Sequence, residues 1–316
     1  MAAVNYLFSK KLQTFAELAT TRMSMGLGAV LLLQGEPGGG KTEFALAVAR
    51  RLKNPDGTHA TFHKYQCAPD RERNLLYDYD MDGIVRREGA WIAGPAWEAF
   101  EASQTGFSVL LIDEVDKTHP NFDAFLLELL EQMQFRAPMK NVENQPFNVY
   151  GNPNNLMIIL TSNGRRELRQ EVLRRCQRIA VPYPERPRLD NIIQGIATGA
   201  EAPLPQGLLN LLIRVGAQLR KDNAENAPSP KEMALCGIDM LVLGYHKIID
   251  PEIWRDVAVS YMVKDGTAMV IDKAMKFRWA KAFMTEVYKP SNNDTSTYER
   301  KYPIAKRKKT PKVPKK

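Results

Sequence analysis

The 316-residue chain is poor in cysteine: Cys67, Cys176 and Cys236 are odd in number and widely spaced. That pattern argues against a disulfide scaffold and against paired zinc knuckles. Long apolar runs are missing too. Ala29 to Leu33, Val109 to Ile112 and Leu156 to Leu160 fall far short of the roughly 20 residues a membrane span needs, so no span is expected. The N-terminus has no basic stretch followed by an apolar segment and a small-residue cleavage site, and a cytoplasmic address is the expectation. Acid is lacking from Ala305 to Lys316, which carries Lys306, Arg307, Lys308, Lys309, Lys312, Lys315 and Lys316. These seven cations account for all but one of the eight net positive charges. The body is therefore close to neutral, and the basic character sits in a proline-containing tail that cannot bury a core. Such a tail is a solvated arm or a contact for nucleic acid or an acidic surface.

What is present is a 44% apolar composition, ample for a core. Residues 5 to 25 read as a helix with Leu12, Phe15, Leu18 and Ala19 on its apolar side. Short apolar strands then alternate with helices. Strands are expected at Ala29 to Leu33, Thr58 to Cys67, Val109 to Ile112, Leu156 to Leu160 and Arg178 to Val181. Helices are expected at Thr42 to Leu52, Pro95 to Ser103, Phe122 to Met133 and Arg166 to Arg174. This alternation builds a parallel sheet covered on both faces, and the fold class is α/β. Two segments interrupt it, Met81 to Gly94 and Gln134 to Gly151, the second with a turn around Asn141 to Asn144 that suggests a hairpin. After Pro182, Pro184 and Pro187 only helical stretches follow, broken at Pro203, Pro228, Pro230 and Pro251. The expected organisation is an N-terminal helix (1–27), an α/β domain (28–186), a smaller all-helical lid domain (187–288), and a polar then lysine-rich tail (289–316).

Three strand ends carry chemistry. Gly35, Glu36, Pro37, Gly38, Gly39, Gly40, Lys41 and Thr42 match G-x-x-x-x-G-K-[ST] between a strand and a helix. Glycines let backbone N–H groups converge on phosphate oxygens at a helix N-terminus. Lys41 would reach the β and γ phosphates, and the Thr42 hydroxyl would ligate Mg²⁺. The strand Val109 to Ile112 ends in Asp113 and Glu114. Asp113 would hold Mg²⁺ and Glu114 would polarise the attacking water, since two carboxylates ending a buried strand need a cation nearby. Asp116 and Lys117 read equally well as surface charges. A third strand ends in Thr161, Ser162 and Asn163, and the Asn163 amide can hold the lytic water or a γ-phosphate oxygen.

Arg165, Arg166 and Arg169, then Arg174 and Arg175, form a basic cluster suited to phosphate or solvent. Arg174 and Arg175 are candidates for a guanidinium lent to a neighbouring subunit's site. Lys231, just inside a helix start at Pro228-Ser229-Pro230, could reach the nucleotide from the lid or simply begin a capped helix. His59 and His63 would lie ~13 Å apart on a strand, too far for one metal with Cys67. Trp91, Trp97, Phe100, Tyr77 and Tyr79 suit core packing better than a stacking platform.

The segments GEPGGGKTE, GPAWEAFEAS before VLLIDEVDK, FDAFLLELLEQ and LTSNGRRELRQEVLRRC resemble the MoxR family of AAA+ ATPases over about residues 28 to 245. The resemblance implies an AAA+ P-loop sheet domain with a helical lid, ATP and Mg²⁺ as ligands, and a homo-oligomeric ring, usually a hexamer. It also implies that Met81 to Gly94 and Gln134 to Phe147 face the pore or substrate, and that a client is remodelled, often with a von Willebrand factor A domain partner. Lys231 stands where the family often has arginine. The lysine tail is no family hallmark, and it supports an alternative, a nucleic-acid-directed AAA+ protein of helicase-loader or restriction-motor type. A GTPase is disfavoured because no N-K-x-D sequence follows the third strand, and a small-molecule kinase because no acceptor site is evident.

Overall fold

The computed structural model describes residues 9–69, 71–79, 91–137, 147–222, 226–245 and 251–263. The turn expected around Asn141 to Asn144, most of the segment from Met81, and the chain from residue 264 to the lysine tail lie outside these. Two compact units emerge, one ending at Pro184 and one beginning at Glu185.

The first unit opens with α1 (Lys10–Ser24), capped by the Ser9 hydroxyl on the Leu12 N–H. It continues β1 (Ala29–Gln34), α2 (Lys41–Arg51), β2 (Thr61–Gln66), β3 (Tyr77–Tyr79), β4 (Trp91–Ala93), α3 (Pro95–Ser103), β5 (Ser108–Asp113), α4 (Asn121–Gln132), β6 (Gln134–Ala137), β7 (Phe147–Tyr150), β8 (Leu156–Ser162), α5 (Gln170–Arg175) and β9 (Gln177–Ala180). Five strands form one sheet in the order β2-β5-β8-β1-β9, and every pairing in it is parallel. A parallel sheet must be covered on both faces, so its strands read as continuous apolar runs. β5 and β8 are buried at every position.

The period-2 alternation of strands sorts those runs onto two cores. Leu32, Leu110, Ile112, Ile158 and Leu160 face Trp97 and Phe100 of α3 and Leu126 and Leu129 of α4. Leu31, Leu33, Val109, Leu111 and Ile159 face Leu12, Ala19 and Met23 of α1 and Phe44 and Val48 of α2. Helix α1 therefore contributes to the core of the sheet unit.

β6 and β7 pair antiparallel, Gln134 opposite Tyr150, which delivers the two strands of the expected hairpin. β3 and β4 pair likewise on either side of the undescribed segment. Trp97 and Phe100 are packed inside as the sequence suggests, Trp97 edge-on to Phe135 and Phe147, while Tyr77 and Trp91, edge-on to each other, are only partly buried.

The second unit contains α6 (Arg188–Gly199), α7 (Gln206–Asp222), α8 (Pro230–Tyr245) and α9 (Pro251–Met262). Helix α8 packs against the other three and buries Met233, Ala234, Cys236, Met240 and Leu241. Close crossing is possible because Gly216 and Gly237 lack a Cβ, which would meet Met233 Sδ at 2.6 Å and Leu204 Cδ1 at 2.7 Å. Among the described residues, no helix is long and apolar enough to cross a membrane. All three cysteines are free thiols, and burial pushes those of Cys176 and Cys236 up to about 12.

Candidate active site

In a parallel sheet, the crevice beyond the strands' carboxyl ends is where ligands bind. β1 leads there into residues 35–40, whose entry is held by two bonds: the Gly35 N–H donates to the Ser162 carbonyl at 3.2 Å and the Val181 N–H to the Gln34 carbonyl at 2.7 Å. Gly38 and Gly40 have φ of 77° and 85°, the left-handed region that favours glycine. Gly35 answers to a different constraint, since a Cβ there would sit 2.0 Å from the Val181 carbonyl oxygen. Gly35→Ala is therefore expected to cost about 1–3 kcal/mol, the usual range for overpacking. Denaturant unfolding would show it as a lower midpoint; an unchanged midpoint would mean the loop is free to move off Val181.

Lys41 and Thr42 open α2, so the loop runs directly into a helix N-terminus, the arrangement that binds anions. The Lys41 ammonium is buried and donates to the Gly35 and Glu36 carbonyls at 2.7 and 2.9 Å. Burial lowers it below the ordinary lysine value, while the charges of Asp113, Asp116, Glu114 and Glu36 work the other way.

Asp113 ends β5. Its side chain is buried, and it accepts from the Thr42 hydroxyl at 3.1 Å, from the Thr161 hydroxyl at 2.6 Å, and from the Lys64 ammonium at 2.8 Å. A hydroxyl and a carboxylate at the mouth of the loop are hard oxygen donors of the kind Mg²⁺ takes while keeping several waters. The residues fit that cation.

Glu114 follows with φ 58° and ψ 52°, a left-handed conformation that is uncommon for a residue with a side chain and calls for a local reason. Its N–H is fixed by the Thr161 hydroxyl at 2.8 Å. Its carboxylate accepts from the Asn163 amide at 3.0 Å, from the Gln66 amide at 2.6 Å, and from Lys117. Thr161 therefore touches both acids, one through each side of its hydroxyl.

Asp116 and Lys117 are not the surface charges they resemble in sequence. Asp116 is 5% exposed and accepts from the Asn163 and Arg165 N–H groups at 3.1 and 2.9 Å, while Lys117 pairs with Glu114. Burying a carboxylate demands such donors, and here they tie the turn after β5 to the loop after β8.

The structure thus brings together Gly35 through Thr42, Asp113, Glu114 and Asn163. The arginines divide. Arg175 is bound within its own chain, donating to Glu131 at 2.6 Å and to the Glu171 carbonyl at 2.9 Å. Arg174 is exposed, with no hydrogen bond or ion pair among the described residues. Lys231 is exposed in the first turn of α8, in the second unit. The helix start around it is a capping box, with the Ser229 N–H on the Glu232 carboxylate at 2.7 Å and the Glu232 N–H on the Ser229 hydroxyl at 3.2 Å. His63 is engaged by Glu98 on α3 at 3.2 Å.

Lys64 and Gln66 escaped the sequence reading, and Thr161 was read only as part of a strand end. Thr161 had a signal, because a hydroxyl ends the same apolar strand as Asn163. Lys64 and Gln66 had none, since their partners come from a strand more than forty residues away.

Residues 30–178 match the family of AAA domains of the dynein-related subfamily, and those residues contain all the groups just described except Val181 and those at the start of α8. The α/β unit is an AAA+ ATPase domain. The chain is 29% identical over 152 residues to the mitochondrial Lon protease homolog of Yarrowia lipolytica, a match that covers 46% of this chain and 12% of that protein. It is 28% identical over 158 residues to Lon protease 1 of Borreliella burgdorferi, covering 49% and 18%. The chain thus spans less than a fifth of the curated relatives it matches. Among solved structures, the Hsp104–ADP complex of S. cerevisiae aligns with a TM-score of 0.48 at 18% identity, covering 83% of this chain and 48% of that one. The FIGL-1 AAA domain aligns with a TM-score of 0.45 at 16% identity, covering 92% and 85%.

Proposed function

We propose that the AAA+ domain hydrolyses ATP with Mg²⁺ where two copies of the chain meet in a ring, a hexamer on the MoxR resemblance, and that turnover drives remodelling of a protein partner. The observation that supports it best is the convergence of Lys41, Thr42, Asp113, Glu114 and Asn163 at the ends of three parallel strands. The loop N–H groups and Lys41 would bind the phosphates. Lys41 then exchanges the Gly35 and Glu36 carbonyls for phosphate oxygens, an exchange favoured because a partly dehydrated cation meets an anion. Thr42 and Asp113 would hold Mg²⁺, whose chemistry when bound is to neutralise charge on the β and γ phosphates. Glu114 would accept a proton from the attacking water, oriented by Asn163. Phosphoryl transfer asks mainly for positioning and charge stabilisation, which is what these groups supply. On this reading the helical unit from about residue 187 is a lid, and Lys231 is its nucleotide contact. The remodelling role, and a von Willebrand factor A domain partner, rest on the MoxR resemblance.

Charge developing on the transferred group calls for a further cation, and head-to-tail contacts that close into a ring can lend one from the next subunit. Arg174 suits that part better than Arg175, because Arg175 would first have to leave Glu131. Arg174→Ala and Lys41→Ala subunits should each be nearly inactive alone and regain turnover when mixed. Mixed rings contain junctions with an intact loop on one side and an intact arginine on the other. Absence of recovery, with both variants folded and assembled, would remove the shared site.

A further inference from the structure

Asp113 poses an electrostatic problem. Its side chain is only 7% exposed, and the two hydroxyls that touch it, from Thr42 and Thr161, carry no charge. The nearby Lys41 ammonium donates its hydrogen bonds to the Gly35 and Glu36 carbonyls. A buried carboxylate left without a countercharge is costly. The charge is met from β2, where the Lys64 ammonium lies 2.8 Å from Asp113 Oδ2 with its side chain 39% exposed.

The register explains why that strand supplies it. Gln66 pairs with Asp113 and Lys64 with Leu111 across the parallel β2–β5 ladder. Residues two apart share a strand face, so Lys64 and Gln66 reach the acids together, one on Asp113 and one on Glu114. His63 and Tyr65, on the opposite face, turn to Glu98 and to the Arg71 carbonyl.

We propose that Lys64 is the resident countercharge of Asp113, holding this carboxylate until Mg²⁺ arrives with nucleotide and so setting how strongly metal and nucleotide binding are coupled. A divalent cation at the Thr42–Asp113 pair and an ammonium 2.8 Å from the same carboxylate repel each other. One must yield, and the half-exposed lysine can swing into water without desolvation cost. Metal-free protein is stabilised, and part of the affinity that Mg²⁺ adds to nucleotide goes into displacing Lys64. The inference rests on Asp113 being a metal-holding group, as read above.

The quantity to measure is the ratio of the dissociation constants of a fluorescent non-hydrolysable ATP analogue in EDTA and in saturating Mg²⁺. By linkage this ratio is the coupling between the two ligands. Lys64→Met and Lys64→Gln should each raise it roughly tenfold over wild type, within the range of typical couplings. Lys64→Arg should leave it near wild type, and Asp113→Asn should bring it close to one. If Asp113→Asn collapses the ratio but both neutral Lys64 variants keep the wild-type value, Lys64 is no countercharge and the inference falls alone. That is also the outcome if Lys64 merely binds phosphate, since affinity would then fall equally in EDTA and in Mg²⁺. If Asp113→Asn leaves the ratio unchanged, the metal-holding role of Asp113 falls and the inference with it.

Discussion

Replacing Glu114 by glutamine is expected to lower ATP turnover by roughly 10²- to 10⁴-fold, the usual contribution of a positioned general base, while nucleotide affinity stays close to wild type. The side chain lies just past the end of the strand, beside the phosphate loop. Its oxygens are taken by the Asn163 amide, the Gln66 amide and Lys117, which hold the carboxylate in one orientation. Glutamine fills the same space but cannot accept a proton from water. Affinity depends instead on residues 35–42, whose geometry the change leaves alone. Steady-state hydrolysis and analogue binding on the same preparation separate the two effects. Turnover within twofold of wild type would show that Glu114 is not the base, whatever its position.

The second large effect should be on stability, at a pair that ties the turn after β5 to the loop before α5. Asp123 is fully buried in the first turn of α4, and Arg166 grips it with both terminal nitrogens at 2.6 and 3.0 Å. The same guanidinium donates to the Thr118 carbonyl and hydroxyl and to the Val115 carbonyl. Asp123 also accepts the Arg169 N–H at 2.8 Å. One planar cation thus joins the turn after β5, the start of α4 and the loop before α5. Its fork geometry suits it to that, where a lysine could satisfy only part of the set. Asp123→Ala would leave a largely buried guanidinium without its countercharge and the Arg169 N–H without its acceptor, at a cost of about 3–5 kcal/mol. Arg166→Met should cost a similar amount. The Asp123→Ala/Arg166→Met double variant should lose less than the sum of the two single changes, because it leaves no uncompensated charge. Additive losses would mean that the pair is not coupled. Urea unfolding of the four proteins closes the cycle.

The same pair shows why some element boundaries could not be read from sequence. Periodicity predicts a helix from Arg166 to Arg174, yet α5 begins at Gln170. Residues 166–169 are held off the helix because Asp123, more than forty residues earlier, claims the Arg166 side chain and the Arg169 N–H. Strand β2 likewise starts at Thr61 instead of Thr58. There the Asp56 carboxylate takes the Thr58 N–H at 2.9 Å and its hydroxyl, a local capture that competes with the ladder. By contrast Pro95 to Ser103 is a helix with its predicted ends, since proline at the first helical position and the preceding glycine are punctuation the chain carries by itself.

What the sequence determined alone is what depends on neighbours along the chain. The buried parallel strands are legible as short apolar runs, the phosphate loop as glycines at fixed spacing before Lys41 and Thr42, and the acids as the last residues of a strand. Tertiary structure decided what depends on partners far away in sequence. Asp116 becomes a buried tie between two loops, Arg166 a clamp, Arg175 a self-paired cation, and Lys64 the charge opposite Asp113. The physical reason is that a charged side chain looks the same in sequence whether it is solvated or paired. Only the sheet order, which sets β2 beside β5 and β5 beside β8, determines which charges are taken out of water together and must therefore neutralise one another.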